Sequence, residues 1–196
     1  MLTVAAVALG SCGGGGDDRT SASDRAMRSA TTASGTFFPD VSIPADAATK
    51  GMWSPSYNWP LNSIHSVLMP DGRVLTFGTN SDGTQTANFI FDVWDASGAP
   101  DTRHQTLSNT SGTDIFCSST ILLQDGNVLI SGGDIWTGTS TTNTGNNNSN
   151  IFNGTTNSLT RGPNMSRNRW YATSTTLING EIYVQGGSGG DRESVV

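Results

Sequence analysis

Ser63–Thr79 reads SIHSVLMPDGRVLTFGT, Cys117–Asp134 reads CSSTILLQDGNVLISGGD, and Tyr171–Ser188 reads YATSTTLINGEIYVQGGS. The three align without gaps. Each predicts a strand, a two-residue turn and a second strand ending at glycine. The turns fall at Asp71-Gly72, Asp125-Gly126 and Asn179-Gly180. Asp-Gly and Asn-Gly tolerate the positive φ angles of tight hairpins and so fix the register. Around them run the apolar alternations of strands: Val74 and Thr76, Val128 and Ile130, Ile182 and Val184.

Gly72, Gly126 and Gly180 follow one another at a constant interval of 54 residues. A repeat of about 50 residues closed by Gly-Gly predicts Kelch-type blades, each a four-stranded antiparallel sheet. Gly132-Gly133 and Gly186-Gly187 supply the double glycine. Gly78-Thr79 departs from it, and Leu159 stands where such repeats often carry tryptophan. Phe89–Asp95, Asn150–Gly154 and Ser158–Arg161 fit the outer strands. The fold expected is all-β: an incomplete propeller of about two blades plus the first hairpin of a third, over residues 51–196. Propellers of this kind close with about six or seven blades, and an open run leaves a bare sheet edge. The expectation is therefore a front piece of a longer protein, inactive on its own.

Composition agrees. Of 196 residues 24 are glycine and only 13% are charged, and no long stretch has helical apolar periodicity. The formal net charge of −6 argues against a nucleic-acid partner. The opening Met1–Ser11 is too short to span a bilayer and reads as the end of a secretion signal. Leu9-Gly10-Ser11-Cys12 resembles the lipobox of bacterial lipoproteins, which implies lipid on Cys12, a membrane partner and a bacterial cell envelope location, anchored or secreted. An ordinary signal with a chance cysteine is the bland reading. Residues 1–12 are read as signal and lipobox. Residues 13–50, with Gly13–Gly16 and a Ser/Thr/Ala-rich run, are read as a flexible tether.

The chain has two cysteines, Cys12 and Cys117. Lipid on Cys12 would forbid the disulfide otherwise expected of an exported protein, leaving Cys117 as a lone thiol. Cys117 and Tyr171 are 54 residues apart, one whole repeat. Equivalent positions on neighbouring inner strands lie side by side near a propeller's axis, so these two are expected to meet.

Here the sequence resembles the galactose oxidase and glyoxal oxidase group. The resemblance rests on Trp59–Thr79, Thr113–Asp134 and Gly162–Ser188, most specifically on Phe116-Cys117 and Arg169-Trp170-Tyr171. It implies one copper ion, a Cys117–Tyr171 thioether, and Tyr171 as a copper ligand whose ring stores one oxidising equivalent. Copper exchanges one electron and the tyrosine a second, which matches oxidation of a small alcohol, sugar or aldehyde with O2 reduced to H2O2. Phenolate and imidazole donors suit Cu(II). The family's Tyr-His pair and late histidine have no match here, and Ser188 is followed by Gly189 where galactose oxidases carry a stacking tryptophan. Trp170 is a candidate substitute, although neighbours on a strand point to opposite faces.

His65 is read as structural. His104 is placed in a polar, solvated loop, and Thr137–Asn150 as a polar loop between strands. Trp53, Trp59, Trp94 and Trp136 are expected to pack. Arg169 is left between a core ion pair and the channel. The alternative from a different class is a non-catalytic Kelch module binding glycan or protein.

Overall fold

The computed structural model describes residues 42–189. Cys12 and the lipobox lie outside the described residues. Within the expected tether, Ala47–Lys50 forms one helical turn, α1, with a Lys50–Asp46 ion pair of 2.8 Å. No helix among the described residues is long and apolar enough to cross a membrane.

The rest is antiparallel sheet. Strands β1 (Asn62–Leu68), β2 (Arg73–Thr79), β3 (Ile90–Asp95) and β4 (His104–Ser108) form one blade in chain order. β5 (Ser119–Leu122), β6 (Val128–Ser131), β9 (Ser149–Asn153) and β10 (Ser158–Arg161) form the second. Between β6 and β9 a small hairpin, β7 (Trp136–Thr137) and β8 (Ser140–Thr141), stands apart. β11 (Thr173–Thr176) and β12 (Ile182–Gln185) pair as the third inner hairpin. The inner strands neighbour each other, β1 beside β5 and β5 beside β11. This is the incomplete propeller expected.

The core lies between the two complete blades. Leu75, Phe77, Phe91 and Val93 of the first face Val128, Ile130 and Phe152 of the second, with Ile115 and Leu159 alongside. Phe91 and Phe152 meet edge to face at 5.6 Å, a preferred aromatic geometry. Burying each ring contributes about 2–3 kcal/mol. The central strands β2 and β3 are the most buried, because one face packs against the second blade and Trp59 covers Trp94 and Thr76 on the other.

Four expectations are corrected. The hairpin loops hold three residues rather than two. Met69 N–H donates to Arg73 O (2.8 Å) and Gly72 N–H to Met69 O (3.0 Å), and the same pair of bonds recurs at Leu123/Asn127 and Leu177/Glu181. Only the glycine takes positive φ, at 86°, 83° and 84° for Gly72, Gly126 and Gly180, the pattern of a turn followed by a glycine bulge. Asp71, Asp125 and Asn179 instead accept the N–H two residues on, at 3.0–3.1 Å.

Second, His104 is not in a solvated loop. It opens β4, with Nδ1 2.7 Å from Asp92 Oδ2, Nε2 3.1 Å from the Pro100 carbonyl and its ring 4.4 Å from Trp59. The buried Asp92 carboxylate recruits the histidine and Thr106, which is why so polar a segment becomes a strand. Third, the polar 137–150 stretch contains β8 and the start of β9. Fourth, Trp53 is 74% exposed. Trp59, Trp94 and Trp136 do pack, the first two at 5.0 Å from each other and Trp136 at 5.0 Å from Phe89.

Candidate active site

Cys117 lies just before β5, in a tight turn closed by Ser118 N–H donating to Ile115 O at 3.2 Å. Its φ is +58°, and Tyr171, at the equivalent point before β11, has φ +61°. Left-handed backbone costs a non-glycine residue about 1–2 kcal/mol, so the surroundings must hold it there. Asp114 Oδ1 accepts the Phe116 N–H at 3.0 Å, and His65 Nε2 accepts the Cys117 N–H at 3.0 Å. On the far side, Tyr171 N–H donates to the Cys117 carbonyl at 2.8 Å. Next along, Ser119 Oγ donates to Ser174 Oγ at 2.7 Å. The two residues one repeat apart are therefore joined directly, as their shared repeat position predicts.

The thiol is buried and the phenol is 62% exposed. Burial pushes the Cys117 thiol up. The neighbouring Cys117 side chain, with partial burial, raises the Tyr171 phenol. Both groups are thus held protonated until a cation or an oxidant intervenes.

Trp170 packs against Tyr171 with ring centroids 4.7 Å apart and a tilt of 59°. Strand alternation would have separated them. The left-handed turn at Tyr171 breaks the alternation and brings both rings to one side. The Trp170 indole nitrogen is buried, and the indole beside the sulfur offsets part of the rise of the Cys117 thiol.

Behind the pair, two backbones cross at close range. Asp114 and Asp134 form an antiparallel bridge, and Asn146 Nδ2 donates to both their carbonyls, at 3.2 and 2.8 Å. A Cβ at Gly133 would stand 2.1 Å from the Asp114 carbonyl oxygen, and one at Gly132 2.2 Å from that of Arg169. Gly132 is thus required for contact with the next blade, and Gly133 for the close bridge within its own. Arg169 is buried and donates from Nη1 to the Gly186 carbonyl at 2.5 Å, rather than to a carboxylate.

Asp114 carries the largest upward carboxylate shift here. Burial pushes it to about 6, opposed by the Phe116 N–H and by the Trp136 indole N–H at 2.5 Å, with Asp134 nearby adding to the rise. His65 lies flat on Phe77, 4.7 Å away at 18°, and burial lowers it to about 4. Sequence reading missed the part both play at Cys117. Asp114, two residues before Phe116, carried a readable local signal, that of an Asx turn. His65 contacts Cys117 from 52 residues away and carried none.

Among the described residues, no three His, Cys, Asp or Glu side chains converge to hold a metal. What the fold and this site define is a run of antiparallel propeller blades with a buried cysteine bonded, backbone to backbone, to a tyrosine on the next blade. Two galactose oxidases of Gibberella zeae resemble the chain, each 25% identical over 157 residues, 77% of this chain. The chain spans 21% of the length of these relatives. A solved structure described as a novel fungal alcohol oxidase of the AA5 family, in complex with copper, matches at TM-score 0.53 and 20% identity, over 69% of this chain and 27% of that one. That likeness speaks for the fold. No protein-family profile matches.

Proposed function

We propose that the chain forms the front blades of a secreted copper-radical oxidase, in which Cys117 and Tyr171 become the thioether-linked cofactor. The observation that carries this is the direct Tyr171-to-Cys117 contact at one shared repeat position. The similarity to galactose oxidases supports it. Tyr171 fits the part of a copper donor, because its phenol is exposed beside a buried sulfur. The remaining donors would come from the length of the relatives that this chain does not span. Copper, when bound, exchanges one electron, and the linked tyrosine stores the second needed to take an alcohol to an aldehyde, or an aldehyde to an acid, while O2 becomes H2O2.

The chain's own contribution is positional. The bracketed turn at Cys117 presents the sulfur, Tyr171 presents a ring open to substrate, and Trp170 covers one side of that ring. Forming the linkage removes the thiol hydrogen and one ring hydrogen, two electrons and two protons in all, and O2 takes them up as H2O2. Cys12 is proposed to anchor the protein by lipid to a bacterial envelope. Substrates are proposed to be small alcohols, sugars or aldehydes.

The test is mass spectrometry of digests of the longest natural form of the protein after exposure to copper and oxygen. A joined Cys117–Tyr171 peptide pair lacking two hydrogens is the expected result. Separate peptides with an alkylatable Cys117 would instead favour a non-catalytic blade module that binds glycan or protein.

A further inference from the structure

The Cys117 backbone is clamped from both neighbouring blades. Its carbonyl receives the Tyr171 N–H from the third blade, and its N–H is received by His65 from the first. We propose that His65 is a positioning residue for the Cys117–Tyr171 pair, its Nε2 locking the left-handed turn that keeps the cysteine turned toward Tyr171. The value of this for a linkage rests on the oxidase reading above, while the lock itself does not.

The geometry fixes the ring's state. An Nε2 that accepts an N–H carries no hydrogen, so the proton of the neutral ring is on Nδ1. Phe77 lies under the ring at 4.7 Å and Phe116 stands edge-on at 6.0 Å. These two hold its orientation. Burial disfavours the imidazolium, so the acceptor is present at neutral pH. Asp114, whose Oδ1 accepts the Phe116 N–H, is the titratable side chain that hydrogen-bonds within the same turn. Without an acceptor at His65, the Cys117 N–H would be a buried donor lacking a partner. The turn would then relax toward extended backbone, and the side chain would swing away from Tyr171.

The experiment uses the longest natural form of the protein in three versions: unaltered, His65→Phe and His65→Gln. Phenylalanine keeps the flat contact with Phe77 and removes the acceptor, whereas glutamine returns an acceptor near the Nε2 position. Circular dichroism establishes folding. Cys117 is then labelled with 4,4′-dithiodipyridine, and the linked peptide is quantified after copper and oxygen. In the unaltered chain, 15N NMR should give an unprotonated His65 Nε2 coupled across the hydrogen bond to the Cys117 amide nitrogen.

The expected result is labelling about tenfold faster in His65→Phe, the scale of one lost buried hydrogen bond, with linkage lowered, and both restored in His65→Gln. A folded His65→Phe with unchanged labelling overturns the proposal. If the unaltered chain yields no linked peptide, the oxidase reading falls, and labelling with the NMR coupling alone decides the role of His65. If His65→Phe does not fold, an absent coupling in the unaltered chain overturns the proposal and a present one sustains it.

Discussion

Replacing Asp114 by asparagine should make the protein much more sensitive to acid. His65 titrates near 4 in the folded chain against an ordinary 6.5. Between those values the unfolded chain binds a proton that the folded chain refuses. Its stabilisation is therefore complete above pH 6.5 and is lost as pH falls toward 4, by about 3 kcal/mol at roughly 1.36 kcal/mol per pH unit. Asp114 works in reverse. Its folded value is about 6 against an ordinary 3.8. Between those values the folded chain holds a proton that the unfolded chain has released. Its contribution is complete below 3.8 and is lost as pH rises through 6, again by about 3 kcal/mol. The two slopes oppose, so the unaltered chain should be nearly flat between pH 6.5 and 4.

Asp114→Asn removes one of them. Its amide would face the Trp136 N–H, which lowers stability by the same amount at every pH, so the slope is the readout. Urea denaturation followed by tryptophan emission at pH 4, 5, 6 and 7 should give a midpoint falling by about 1–2 M across the range, for an m-value near 2 kcal/mol per M. Asp71 and Asp95, held low by Arg73 and Ser97, lose their contributions only below the ordinary carboxylate range. An Asp114→Asn slope equal to that of the unaltered chain would refute the reasoning.

Gly133→Ala and Gly186→Ala both put a side chain at positive φ, but only Gly133 meets a neighbour, 2.1 Å away, while Gly186 meets nothing within 4 Å. Gly186→Ala should cost about 1 kcal/mol and Gly133→Ala about 4 kcal/mol from strain plus overpacking, and equal costs in urea denaturation would contradict the close crossing of backbones. Phe152→Ala, at a fully buried ring that touches Phe91, should cost about 3–5 kcal/mol and remove most cooperative unfolding; a loss under about 1 kcal/mol would mean the two blades do not share a core.

The repeat was legible because its signals are local. Asp-Gly and Asn-Gly pairs at equal spacing marked all three inner hairpins, and the same spacing placed Cys117 beside Tyr171. What escaped depends on partners distant in sequence. The strand β4 is polar, and its pairing to β3 follows from Asp92, buried and bonded to His104 and Thr106. The Asp-Gly pairs marked the turns correctly but not their length, because the carboxylate caps the turn and leaves positive φ to glycine alone. Nothing in Phe-Cys-Ser or Trp-Tyr-Ala announces a left-handed residue, since cysteine and tyrosine are not the residues that favour it. Without that kink, Trp170 and Tyr171 would be assigned to opposite faces. His65 reads as an ordinary strand residue until its nitrogen is found on another blade.

The kink shared by Cys117 and Tyr171 has a consequence for ancestry. A duplicated blade copies its irregularities along with its strands, so one awkward turn, once copied, becomes a pair of bays facing each other across the seam. Here those positions carry a thiol and a phenol, brought together with no new loop and no insertion. On such a scaffold side chains of adjacent blades meet through the repetition of a defect, and neighbouring seams offer the same opening wherever the defect recurs.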